Sequence, residues 1–161
     1  MTNLTEERLK ILVPEEAASL LDKLGELLQQ RNIDCYVVGG FVRDGLMGLS
    51  NNDIDIAVAG DAIAIASDVA RALDAKLVPL NEANQVARVI LPQAKGRWYL
   101  DFATLRGNIE EDLKLRDFTI NAIAIRLSGA KTNWAQVEVI DALDGCRDLS
   151  RRMIRPVSDA A

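Results

Sequence analysis

Val37-Val38-Gly39-Gly40-Phe41-Val42-Arg43-Asp44-Gly45-Leu46-Met47-Gly48, then Asn52-Asp53-Ile54-Asp55-Ile56-Ala57-Val58, is the stretch whose reading decides the fold. Cys35 to Val38 reads as a short buried strand, and the two glycines end it. Phe41 to Met47 reads as a brief helix with Gly48 just beyond it, where a glycine commonly closes a helix. Asp53 to Ala59 alternates polar and apolar residues, the period of a strand with one buried face. A strand, a glycine turn, a short helix and a second strand follow one another without a linker.

Working outward, Pro14, Glu15 and Glu16 open an amphipathic helix carrying Leu20, Leu21, Leu24, Leu27 and Leu28 on one face, with Asn32 as its stop. Asp61 caps an alanine-rich helix from Ala62 to Leu73. Lys76 to Leu80, Ala87 to Leu91 and Trp98 to Leu105 read as strands, separated by the polar Asn81 to Gln85 and the turn-like Lys95-Gly96. Glu110 to Leu127 reads as one long helix with acids at its start, and Val137 to Asp141 as a last strand. The expectation is a single α/β (α+β) domain over residues 1–161, a mixed sheet of about five strands flanked by helices. Arg151 to Val157 leads into Ser158 to Ala161 without a closing element, the pattern expected of a cut within a longer protein.

Composition narrows the chemistry. With 161 residues, 49% of them hydrophobic and 27% charged, the chain suits one compact domain with a real core, and aromatics at 4% leave that core to Leu, Ile, Val and Ala. The absence of histidine excludes Ser-His-Asp and Cys-His catalysis and His-ligated zinc. Cys35 and Cys146 have no CxxC spacing, which predicts reduced thiols and neither a zinc site nor a disulfide framework. Met1 to Val13 lacks the apolar run of a signal peptide, and no stretch is long enough to span a membrane, so a cytoplasmic location is expected. A net charge of −5 suits phosphate neutralisation poorly, since gripping nucleic acid depends on Lys and Arg.

Four constellations carry potential chemistry. Asp53 and Asp55, two apart on a strand, project together; such a pair repels itself unless a cation intervenes, and a hard ion such as Mg²⁺ meets that need. Alone, the pair reads as two exposed acids on a solvated edge; its place a few residues after a glycine-marked turn and a short helix favours the metal reading. Gly39-Gly40 between strand and helix lets backbone approach an anion, and Arg43 could add a charge-assisted contact; the plain alternative is a tight turn. Asp101 lies on the opposite strand face from Leu100 and Phe102, either as a third metal ligand or on a solvent-facing side. Asp117 and Asn121, four apart on the expected helix, share a face beside Arg116, which could meet a triphosphate; taken alone, this segment reads as a surface salt bridge and an ordinary amide.

Together, VVGGFVRDGLMG, NDIDIAV, LDFATLRG, EEDLKLRDFTINAIAI and IDALDGCRDLSRRMIRPV resemble, in order, the class II nucleotidyltransferases: the tRNA CCA-adding enzymes and bacterial poly(A) polymerases. The resemblance implies a polymerase-β-like head. It implies that Asp53 and Asp55 hold two Mg²⁺ ions (Mn²⁺ in their place), with Asp101 a further acid. One ion would activate the primer 3′-hydroxyl and the other would steady the leaving pyrophosphate, a scheme that needs no histidine. Gly39 and Gly40 belong to the implied nucleotide site, where Gly40 and Arg43 contact phosphates, Arg116 helps hold the triphosphate, and Asp117 and Asn121 fall in the ribose-sensing segment. Arg106 lies in a matching LRG of uncertain role. The implied partners are ATP, with CTP possible, and an RNA 3′ end, tRNA foremost.

Two departures stand out: Leu115 where the family has a first arginine, and Asp144-Gly145-Cys146 in place of a complete glycine pair. The family's base-reading segment would follow Ala161, so this chain alone is expected to be nearly inactive, with RNA gripped mainly beyond it. The alternative is a degenerate head kept as a nucleotide-binding or regulatory module.

Overall fold

The computed structural model describes residues 8–93 and 96–158. Lys95, read above as part of a turn, lies outside them, as do most of the N-terminal segment and Asp159 to Ala161. In chain order the elements are β1 (Arg8–Leu9), α1 (Glu15–Gln29), β2 (Cys35–Val38), α2 (Gly40–Leu46), β3 (Asp53–Val58), α3 (Ala62–Ala72), β4 (Lys76–Asn81), β5 (Val86–Gln93), β6 (Gly96–Thr104), α4 (Ile109–Leu113), β7 (Ala124–Leu127), β8 (Val137–Glu138) and α5 (Gly145–Ser150).

Six strands form one mixed sheet in the order β4-β5-β6-β3-β2-β7, in which only β3 and β6 run parallel. Strand alternation gives this sheet two unlike faces. Val37, Ile54, Ile56, Leu100, Phe102, Ala87, Val89, Ile125 and Leu127 point to one side. There they bury against Leu20, Leu21, Leu24 and Leu28 of α1 and Ile65, Ala66 and Val69 of α3. Asn32, with φ 56, turns the chain after α1 into β2. Asp61 caps α3 as expected, its carboxylate accepting from the Ile63 and Ala64 amides at 3.1 Å, a contribution of about 1 kcal/mol.

The other face is covered over only part of its area. Tyr36, Val38, Ala57 and Ala124 pack there against Ile109 and Leu113 of α4. Asp53, Asp55 and Asp101 share that face by alternation, on the part that α4 leaves open.

The segment 110–127 departs from expectation. It is a short helix, α4, then an irregular turn through Arg116 and Asp117, a 3-10 turn at Thr119–Asn121, and strand β7. The backbone partners a long helix would need are taken elsewhere: the Thr119 amide donates to the Arg155 carbonyl and the Val157 amide to the Asp117 carbonyl. β7 adds the sixth strand, pairing with β2. The expected last strand, Val137 to Asp141, shortens to β8, which pairs with β1 in a separate two-stranded sheet. Cys35 is buried and Cys146 half-buried; burial first, then the neighbouring Asp34 charge, pushes the Cys35 thiol up to about 12. Among the described residues no helix is long and apolar enough to cross a membrane.

Candidate functional site

β2 ends where β3 begins its antiparallel run beside it, with Val38 opposite Asp55. The chain must leave β2 sharply, and Gly39 makes the turn at φ 75 and ψ −140, a region essentially restricted to glycine. A Cβ there would lie 3.2 Å from Asp55 Oδ2 and 3.6 Å from Arg116 Nη1. Gly39 therefore sits between the acid and the guanidinium, and its bare Cα lets both approach. Gly39→Ala is expected to destabilise the chain by about 1–3 kcal/mol in a denaturant melt and to weaken nucleoside triphosphate binding; a dissociation constant equal to wild type would reject this role.

Asp55 stands opposite Asp101 on β6, and Asp53 stands opposite Tyr99. Burial first, and then the Asp101 carboxylate, push the Asp55 carboxyl above its ordinary value; Arg116 opposes the shift, Asp53 adds to it, and Arg88 opposes it. Among the described residues nothing donates a hydrogen bond to the Asp53 or Asp55 carboxylate and neither joins an ion pair; Asp53 is tied only through its backbone amide, to Asn51 Oδ1 at 2.8 Å. Two unpartnered carboxylates on one strand face are a donor set suited to a hard, oxygen-preferring cation.

Asp101 differs. Arg88, directly opposite it on β5, donates to both of its oxygens at 2.8 and 2.9 Å and lies 4.8 Å over the Tyr99 ring. Among the described residues no group of three or more His, Cys, Asp or Glu side chains is assembled to hold a metal. Arg88 escaped the sequence reading. Its signal was an arginine alternating with the buried Ala87 and Val89, which places it on the acids' face, but the pairing depends on strand register.

Asp117 and Asn121 do come together, though not on a helix. Asn121 Nδ2 donates to Asp117 Oδ1 at 3.3 Å across the irregular turn, and that bond leads the causes holding the Asp117 carboxyl below its ordinary value. Asn121 Oδ1 in turn accepts from Arg43 Nη1 at 2.7 Å, which links the Asp117–Asn121 turn to the glycine turn. Arg116 is anchored by Asp112, an acid only 3% exposed, through Nη2 at 3.4 Å; its Nε is buried without a partner. Asp112 also accepts from the Arg106 backbone amide and Nε at 3.0 and 3.1 Å, so Arg106 supports the site from behind. In the sequence Asp112 was only one acid in a helix start. A cavity of about 670 Å³ opens elsewhere, lined by Tyr36, Arg126 and Lys131, and contains none of these residues.

A mixed sheet that carries paired strand acids beside a glycine turn and two guanidiniums is the arrangement expected of a nucleotidyltransferase head. The chain belongs to the poly(A) polymerase head domain family, which it matches over residues 35–110 and 107–155. A CC-adding tRNA nucleotidyltransferase of Geobacter sulfurreducens is 37% identical over 147 residues, covering 90% of this chain and 32% of its own length. An A-adding tRNA nucleotidyltransferase of Halalkalibacterium halodurans is 34% identical, covering 84% and 34%. The Thermotoga maritima CCA-adding enzyme complexed with tRNA superposes with a TM-score of 0.76 at 39% identity over 96% of this chain and 35% of its own. The chain thus spans about a third of the length of the relatives it matches.

Proposed function

We propose that the chain is the catalytic head of a template-independent RNA nucleotidyltransferase, moving AMP, or CMP and AMP, from a nucleoside triphosphate to an RNA 3′ end, tRNA foremost. The observation that carries this reading is the unpartnered Asp53–Asp55 pair on the open sheet face, flanked by the Gly39-Gly40 turn, Arg43 and Arg116. Asp53 and Asp55 would hold the metal, with Asp101 as a further acid once Arg88 releases one of its oxygens. Bound there, two Mg²⁺ ions, or Mn²⁺, would acidify the attacking 3′-hydroxyl and neutralise charge on the leaving pyrophosphate.

The chain's own residues do the rest. The glycine turn brings backbone close to the phosphates, Arg43 and Arg116 neutralise them, and the Asp117–Asn121 pair meets the ribose. CC-adding and A-adding relatives both match over the head, and the choice of base is assigned, as the resemblance implies, to a segment outside these 161 residues. The RNA grip is assigned outside them too. The head, at a net charge of −5, supplies metal and triphosphate contacts and is expected to transfer poorly by itself. A degenerate head would leave the Asp53–Asp55 repulsion without a purpose.

The test is calorimetric. Mg²⁺- or Mn²⁺-dependent ATP binding should vanish in Asp53→Ala while circular dichroism stays that of the wild type. Binding that persists in the folded variant would sink the metal site. Product analysis with tRNA and with unrelated RNA, using the longer relatives as benchmarks, then names the reaction.

A further inference from the structure

Neither Asp44 nor Asn51 is among the residues placed in the site so far, yet both lie in an unbroken run of hydrogen bonds through it. Asp117 Oδ1 accepts from Asn121 Nδ2 at 3.3 Å, and Asn121 Oδ1 accepts from Arg43 Nη1 at 2.7 Å. Arg43 Nε donates to Asp44 Oδ1 at 3.0 Å, and Asp44 Oδ2 accepts from Asn51 Nδ2 at 2.9 Å. Asn51 Oδ1 then accepts from the backbone amide of Asp53 at 2.8 Å. The run begins at the ribose-sensing carboxylate, crosses the phosphate-facing arginine and ends at the first metal-strand acid.

We propose that Asp44 and Asn51 are positioning residues that fix Arg43 and Asp53 relative to each other, so that the triphosphate and its metal are met in register. The proposal rests on the function argued above. Its physical content lies in how the donors are used. Arg43 is held at Nε by Asp44 and at Nη1 by Asn121, two bonds that set the plane of a rigid fork. The remaining Nη2 lies 3.4 Å from where a Gly40 Cβ would stand and has no hydrogen-bond partner among the described residues. Asn51 suits its place because it donates to one neighbour and accepts from the other. An acid there could serve only the Asp53 amide and would face the Asp44 carboxylate.

That logic supplies a test with an internal rescue. Mg²⁺-dependent ATP binding is measured by calorimetry on the full chain, with a thermal melt for every variant. Asn51→Ala removes both bonds without adding charge and is expected to weaken binding about tenfold, about 1.4 kcal/mol. Asn51→Asp opposes two carboxylates, and Asp44→Asn leaves one carboxamide oxygen for two donors; each should bind at least as poorly. The exchange Asp44→Asn with Asn51→Asp reverses the bond between positions 44 and 51 and leaves the Arg43 Nε and Asp53 amide donors each with an acceptor, and it should recover binding to within about threefold of wild type. An exchange variant that melts like wild type but binds no better than the single variants would overturn the relay, as would Asn51→Ala binding within twofold of wild type. If the wild-type chain itself fails to bind ATP with Mg²⁺, the function proposed above falls and takes the relay with it. Wild-type binding with an indifferent Asn51→Ala removes the relay alone.

Discussion

Asp55→Asn is expected to remove what little nucleotide transfer the chain shows by itself and at the same time to raise the melting temperature of the metal-free chain. The loss follows from the donor set. An amide keeps the shape but removes the charge that would balance a cation on this face, and deleting one member of such a charge-stabilising set costs on the order of 10²–10³ in rate. The gain follows from the surroundings of the acid. Its carboxyl is pushed above the ordinary value by burial first, then by Asp101, with Asp53 adding to the effect. A folded-state value above the unfolded one means that the fold favours the proton. That stabilisation is complete below the unfolded value and is lost as pH rises through the folded one.

At neutral pH the ionised Asp55 therefore weighs against the metal-free fold, and the neutral amide removes the penalty. In EDTA at pH 7 the variant should melt higher than the wild type. The difference should close as pH falls below the usual carboxylate range of about 4. Added Mg²⁺ with ATP should reverse the order, stabilising the wild type and leaving the variant unmoved. A variant that melts below wild type in EDTA at pH 7 would show that Asp55 supports the fold and does not strain it. A variant that keeps transfer activity would remove Asp55 from the metal site.

The elements that position these acids were legible because each has a strong local signal. Leucines at helical spacing mark α1, an aspartate cap and alanines mark α3, and the two glycines mark the bend between β2 and α2. Asp53 and Asp55 could be placed on one face from strand period alone, and the parallel register then puts Asp101 opposite Asp55. The segment from Glu110 to Leu127 was not legible. Ile109, Leu113, Ile120, Ile123 and Leu127 are spaced as a helix would space them, and helical propensity favours that reading. What breaks the helix is tertiary: Arg155 and Val157 take the backbone bonds of Thr119 and Asp117, and β2 offers Ala124–Leu127 an open edge. The alternation of Ile125, Arg126 and Leu127 was the one local sign of a strand. Arg88 and Asp112 were missed for a related reason. Their partners, Asp101 in one case and Arg106 with Arg116 in the other, are set by register and by a turn that sequence period does not encode.

Gly145→Ala should be among the most destabilising single-methyl changes in the chain, although Gly145 does not have a positive φ. It opens α5, where the Asp141 carboxylate accepts from the Gly145 and Cys146 amides at 2.6 and 2.9 Å and fixes the helix start. The residue before it, Asp144, takes the left-handed conformation at φ 60, which Asp tolerates better than most side chains. A methyl on Gly145 would run into the backbone carbonyl of Thr119 and would lie 2.9 Å from Ile123 Cγ1. Neither can yield easily. The Thr119 carbonyl is held by the Ala122 amide at 3.0 Å, and Ile123 is fully buried. The Thr119 hydroxyl is in turn bound to Asp148, which Arg155 Nε holds at 2.9 Å, so α5 and the turn bearing Asp117 and Asn121 are clasped as one piece.

Overpacking of this kind costs about 3 kcal/mol, a fall of roughly 6–12 °C in melting temperature. Because the clasp holds the turn, nucleotide binding should weaken even at temperatures where the variant stays folded. Gly48→Ala is the control, since Gly48 has φ 76 with nothing within 4 Å of a built Cβ. It meets only the conformational cost, about 1–2 kcal/mol, and lies away from the turn. If Gly145→Ala melted no lower than Gly48→Ala, or bound ATP as well as wild type at a temperature where both are folded, the clasp would not be what shapes the turn bearing Asp117 and Asn121.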